Sequence, residues 1–132
     1  MLDVSTNKFS RRSRDNLRGV HADLIIVVTT ALMTSPLDFV VTEGLRNRAR
    51  QQQLVDSGAS KTMNSRHLTG HAVDLAVWLD GGIRWDWGLY DRLAVHVKDA
   101  AALHGIPIIA GADWASFRDG PHFQLPWSEY PA

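Results

Sequence analysis

Cysteine is absent from this chain, which excludes both a disulfide framework and a thiolate metal site. Any bound metal must be held by histidine and carboxylate. Neither charge sign is in excess: 14 basic and 14 acidic residues give a formal charge of zero with the histidines neutral. A chain without a basic field is not built to grip a phosphate backbone, so no nucleic-acid partner is expected. Long apolar runs are missing too. The longest patch, from Leu24 to Met33, includes Thr29 and Thr30 and falls short of the roughly 20 residues needed to span a bilayer. No membrane insertion is expected. Met1 to Ser5 carry neither the basic nor the apolar region of an export signal, which points to synthesis in the cytoplasm. Repeats and low-complexity tracts are lacking. At 132 residues the expectation is a single domain spanning 1–132, with a core from about 13 to 125 and enough length to bury it.

What is present centres on Ser65-Arg66-His67-Leu68-Thr69-Gly70-His71-Ala72-Val73-Asp74. The apolar run 72–78 reads as a strand by length and alternation. Val73, Leu75 and Val77 then share one face, and Ala72, Asp74 and Ala76 the other. A carboxylate inside a buried strand costs several kcal/mol unless it is paired or ligates a metal. His67 precedes the strand, and Gly70 lets the chain bend so that both side chains converge. His71 has the wrong parity to join Asp74 and is left out of the set. A third partner comes from Asp119-Gly120-Pro121-His122-Phe123-Gln124-Leu125, a turn followed by a short alternating segment with His122 and Gln124 on one face. Two histidines and a carboxylate around an open position are the donor set of a catalytic zinc site. Asp119, three residues before His122, is placed to act as a general base there without ligating.

The Ser-x-His-x-x-Gly-x-Ala-x-Asp pattern at 65–74, followed by Asp-x-x-His at 119–122, resembles the M15 zinc peptidases, which include D-Ala-D-Ala carboxypeptidases and dipeptidases of cell-wall metabolism. The fuller strings, Ser65 to Leu75 and Trp114 to Leu125, are most similar to the short phage endolysins of that family, which cleave the L-alanyl-D-glutamate bond of the peptidoglycan stem peptide. The resemblance runs from about Ser13 to Leu125. It implies one Zn²⁺ per chain held by His67, Asp74 and His122, with Asp119 as base. The Gly44-Leu45-Arg46 element resembles the family's Gly-Tyr-Arg, and implies that Arg46 polarises the scissile carbonyl. The alternative for Arg46 is an ion pair with Glu43. Ser65 is expected to support the first ligand or touch substrate, and Trp114, with Phe117, either to wall the cleft or to pack against the central sheet. The implied partner is bacterial peptidoglycan, reached from the host cytoplasm after release by a holin, with no separate wall-binding domain and a monomeric chain.

The remaining elements are ordinary. A 3.6-residue apolar period from Ser13 to Met33 predicts one amphipathic helix with Ser13 as N-cap. His21 lies on its core-facing edge as a partly buried histidine. Strands are expected at 38–42, near 83–85 and at 106–110, and helices from about 47 to 57 and from Asp86 to Gly105. Residues 1–12 read as a solvated lead-in, and 126–132 as a tail. Together they describe an α+β domain with a central, mainly antiparallel sheet flanked by helices. The resemblance implies the D-Ala-D-Ala peptidase-like, Hedgehog-like fold with zinc at the sheet edge. Two other functions share this frame: a D-Ala-D-Ala carboxypeptidase, and a zinc-stabilised binding module without catalysis. The presence of Asp119 speaks against the second.

Overall fold

The computed structural model describes residues 8–116 and 118–131. Five strands form one antiparallel sheet: β1 (Asp38–Glu43), β2 (Ala72–Leu79), β3 (Gly82–Arg84), β4 (Ile109–Ala110) and β5 (His122–Gln124). Their order is β1-β2-β5-β4, and β3 folds back on the far end of β2. Among the described residues four α-helices accompany them: α1 (Arg11–Asn16), α2 (Ala22–Thr34), α3 (Arg48–Asp56) and α4 (Trp87–Leu103).

Strand parity divides the sheet into an apolar and a polar face. Val73, Leu75 and Val77 are fully buried, and their register partners Phe123, Val41 and Phe39 fall on the same side. Against this side pack Leu24, Val27, Val28 and Ala31 of α2, with Leu93, Ala94 and Val97 of α4. Each such large apolar side chain contributes about 1.5–3 kcal/mol on burial. The opposite face carries Asp74, His122 and Gln124.

The expectation of one helix from Ser13 to Met33 is corrected to two. Gly19 adopts φ +79°, which breaks the helix, and His21 starts the next by accepting a hydrogen bond from Asp23 N–H on Nδ1. Ser10, not Ser13, caps α1. Ser13 is buried and its hydroxyl accepts from Val41 N–H, while Asn16 donates to the carbonyls of Val41 and Thr42. These bonds satisfy the outer edge of β1, an edge strand that would otherwise expose unpaired backbone. The strand expected over 106–110 is reduced to Ile109–Ala110. The supposed tail is docked: Tyr130 donates its hydroxyl to Asp23, and the buried Arg66 guanidinium bonds the carbonyls of Leu125 and Tyr130 and covers the Trp127 ring.

Candidate metal centre

Asp74 and His122 are direct register partners on β2 and β5. Partners across an antiparallel pair project to the same face, so the pairing itself brings carboxylate and imidazole together. His67 arrives from the short 3-10 helix Arg66–Thr69, which ends at Gly70 in the left-handed conformation. Ser65 caps that helix by accepting from His67 N–H. The His67 backbone is then clasped by the segment after β1: Arg46 N–H donates to the His67 carbonyl, and His67 Nδ1 donates to the Gly44 carbonyl.

The three side chains converge. His67 Nε2 lies 3.2 Å and His122 Nδ1 3.3 Å from the same oxygen, Asp74 Oδ1. The bond from His67 Nδ1 to Gly44 fixes the tautomer, so Nε2 presents a lone pair to the centre. His122 is fixed in the same way by Gln124, 2.8 Å from its Nε2. Three acceptors with outer partners already supplied converge on one point, which requires a cation or bound protons. All three ligand atoms lie within 4.8 Å of one another. The donor set therefore fits a metal ion. The centre sits on the interior strands β2 and β5, where β2 begins, so the expected sheet-edge position holds for the strand ends and not for an edge strand. His71 lies outside it, hydrogen-bonded to Thr69.

Charge completes the geometry. Burial alone would raise the Asp74 carboxyl, but in the metal-free chain, where bound protons stand in for the cation, its hydrogen bonds with His122 and His67 outweigh burial and hold the group well below the ordinary 3.8. Burial lowers His122, yet its contacts with Asp74 and Gln124 bring it above the ordinary 6.5. For Asp119, removal from water and then the Asp74 charge push the carboxyl upward. In the metal-free chain Asp74, with its depressed value, stabilises the fold above pH 3.8 and ceases to as pH falls through its folded value. His122, with its raised value, stabilises below 6.5 and ceases to as pH rises through its folded value. The metal-free protein is expected to melt highest between about pH 4 and 6.5. Metal affinity should instead climb with pH through the raised His122 value, since ligation needs the neutral ring. Calorimetric melting with and without metal across pH 4–8 checks both trends.

Several contributors were not read from the sequence. A bulge between Val41 and Glu43 places Glu43, rather than Thr42, opposite Asp74. This turns the Glu43 carboxylate onto the polar face, where it holds Arg46 through two 2.8 Å bonds. Arg46 is buried, and its Nη2 also lies 3.5 Å from Asp74. The Glu43 pairing weighed as an alternative for Arg46 is thus present, alongside its place in the cleft wall. Gln51 is the buried residue of the polar helix α3. It accepts from Arg46 and donates to Ser60 Oγ and the Thr62 carbonyl, tying the 59–64 loop to the centre. Gln51→Leu is expected to cost about 2–3 kcal/mol, the value of a buried bond to a charged group. It should also open the 59–64 loop to proteolysis, a cut that mass spectrometry of a limited digest would locate.

The centre lies in a cleft of about 670 Å³ whose walls include Lys61, Ser65, Trp114, Arg118, Asp119 and Trp127. The Trp114 ring stands 5.1 Å from that of His122. The cleft role expected for Phe117 falls outside the described residues. Asp119 does not join the metal-ligating cluster. Its backbone holds the turn, with its N–H on Gly111 and its carbonyl accepting from His122.

Comparison with known proteins agrees with this geometry. Residues 5–125 match the family model described as phage L-alanyl-D-glutamate peptidase. The chain is similar to the L-alanyl-D-glutamate peptidase of Escherichia phage T5, 33% identical over 116 residues covering 85% of each. It is also similar to the peptidoglycan L-alanyl-D-glutamate endopeptidase CwlK of Bacillus subtilis, 33% identical over 106 residues, 67% of this chain and 61% of that one. Among solved structures, the L-Ala D-Glu endopeptidase ChiX of Serratia marcescens superposes with a TM-score of 0.88 at 49% identity, covering 94% of this chain and 93% of that one.

Proposed function

The chain belongs to the phage L-alanyl-D-glutamate peptidase family, and from that premise we propose how this peptidoglycan endopeptidase works. His67, Asp74 and His122 hold one Zn²⁺, a choice supported by the two imidazoles and one carboxylate, a donor set of catalytic zinc sites. When bound, the ion supplies Lewis acidity at neutral pH. Asp119 takes a proton from the attacking water and returns it to the leaving amine of D-glutamate, which balances the hydrolysis without any outside acid. Arg46 brings positive charge to the developing oxyanion, and its contact with Asp74 holds that ligand in place. Ser65 positions His67 through the helix cap, and Trp114 forms the wall beside His122. The single observation that carries the reading is the convergence of both histidines on Asp74 Oδ1 at the floor of an open cleft.

Digestion of purified peptidoglycan by the zinc-loaded chain, followed by mass spectrometry, tests the bond. Stem peptides with a new D-glutamate N-terminus are expected. Free D-alanine would reassign the chain as a carboxypeptidase, and no release, despite bound zinc, would leave only a binding module. Zinc at about a hundred times its Kd should add about 2.7 kcal/mol of stability, removed by a chelator; a thermal melt with and without chelator measures it. The finer setting is that of a monomer made in the cytoplasm and let out to the wall by a holin. Cells expressing the chain should then lyse only when the inner membrane is permeabilised. The 49% identity to an enzyme of a bacterium favours a second setting, wall cleavage outside phage lysis. Lysis without permeabilisation would support that one.

A further inference from the structure

A second recess, of about 190 Å³, adjoins the cleft and is walled by Trp85, Trp87, Tyr90 and Pro121; Arg118 and Asp119 belong to both. Trp85 is 62% and Trp87 48% exposed, so the core does not account for two indoles at the junction of β3 and α4. Both are held in place. The Trp85 ring stacks on Tyr90 at 6.0 Å and an interplanar angle of 10°. Tyr90 is itself fixed, its hydroxyl accepting from Val77 N–H and donating to the Arg84 carbonyl. The Arg118 guanidinium lies 4.4 Å over Trp87 and is anchored by Asp91 and the Ala112 carbonyl. Aromatic surface ordered beforehand binds without the usual entropic cost of ordering side chains. The recess is continuous with the turn that carries Asp119. A β-carbon on Gly120 would come within 2.9 Å of Tyr90 Cβ and 3.3 Å of the Trp87 ring, so this turn rests directly on the aromatic wall.

We propose that the recess is a saccharide subsite, taking the glycan to which the stem peptide is attached. The proposal rests on the peptidase reading above. In peptidoglycan the amino group of L-alanine is amide-linked to the carboxyl of a lactyl group, which is ether-linked to an N-acetylated sugar. A pyranose therefore lies one residue from the scissile bond, and the recess adjoins the residue assigned as proton carrier. A pyranose presents a face of C–H groups that covers an indole, and a rim of hydroxyl and acetamido groups. Flat indoles with Arg118 and Asp119 at the rim match both surfaces. A recess of this size has no room for a helix or a strand.

The test compares two substrates on the zinc-loaded full chain: an N-acetylated stem peptide beginning L-alanyl-D-glutamate, and the same peptide carried on N-acetylmuramic acid. The sugar-bearing substrate is expected to have a KM about five- to tenfold lower, the scale of one aromatic stack. Trp85→Ala should raise that KM toward the value for the free peptide, and Trp85→Tyr should restore most of the difference. Equal KM values in the wild type, or an equal rise for both substrates in Trp85→Ala, would overturn the proposal. A parallel titration follows the indole N–H signals of Trp85 and Trp87 with a peptide-free glycan disaccharide. If neither peptide is cut, the peptidase reading fails, and this titration still decides the subsite: saturable shifts support it, and unmoved signals end it.

Discussion

Asp119→Asn is expected to lower kcat by about a hundred- to ten-thousandfold while the chain still takes up its metal. The reason is that the Asp119 carboxylate is not among the ligand atoms that converge. The hydrogen bonds that shape its turn are made by its backbone, to Gly111 and from His122, and an amide side chain leaves them intact. What the substitution removes is the group that can carry a proton. Loss of water and the Asp74 charge hold that group above the ordinary carboxylate range of 3.8, which moves it toward the working pH where proton transfer is most efficient. With Asp119 in the proposed role, the kcat/KM profile measured at saturating metal is expected to have an acid limb that falls as pH drops through the raised Asp119 value, and this limb should disappear in the variant. Metal content by mass spectrometry and a pH–rate series on one defined stem peptide decide the matter. Retention of activity within tenfold would remove Asp119 from the chemistry, and loss of metal would make it a structural residue.

How much of this site was visible in the sequence depends on which physical rule governs each part. Period-2 alternation placed Asp74 opposite the apolar face of β2, and one antiparallel pairing then suffices to bring it to His122. His71 was excluded by the same parity, and it lies outside the cluster. The succession of strands and helices followed from such local patterns, and the family fold from the resemblance. The bulge at Thr42 did not, because a one-residue slip in register leaves no compositional mark, yet it alone turns Glu43 toward Arg46. Gln51 carries no mark of burial in the 47–57 helix, since burial by a hydrogen-bond network has no hydrophobic periodicity. Ser13 misled for a related reason. Its hydroxyl is suited to cap a helix, but the unpaired edge of β1 made the stronger demand on it. Gly19 was the signal overlooked within the 13–33 helix: an apolar period runs through it, but its backbone leaves the helical region.

Asp74→Asn should weaken zinc binding at least about a hundredfold, more than loss of an outer partner to a metal-bound histidine produces. Activity should fall with it. Asparagine has the shape of aspartate, so the fold itself offers little resistance. Its amide nitrogen can donate to the lone pairs that His67 Nε2 and His122 Nδ1 aim at Asp74 Oδ1, 3.2 and 3.3 Å away. The metal-free variant is therefore expected to remain folded, while the donor that would sit on the cation is lost. The effect also reaches Arg46, which exchanges an anionic neighbour for a neutral one. Glu43 keeps it paired, so Arg46 should not be expelled from the wall. The variant thus separates two roles of the Asp74 charge, namely ligand and organiser of the surrounding basic groups. Isothermal titration with zinc, together with melting curves with and without metal, reads both. If the charge serves as ligand, the wild-type gain in melting temperature on adding zinc vanishes, while the metal-free melt falls only by the stabilisation that the ionised Asp74 supplied to the metal-free fold. If the variant still binds zinc at wild-type affinity, Asp74 is a structural carboxylate between two histidines, and the metal reading of the cluster fails with it.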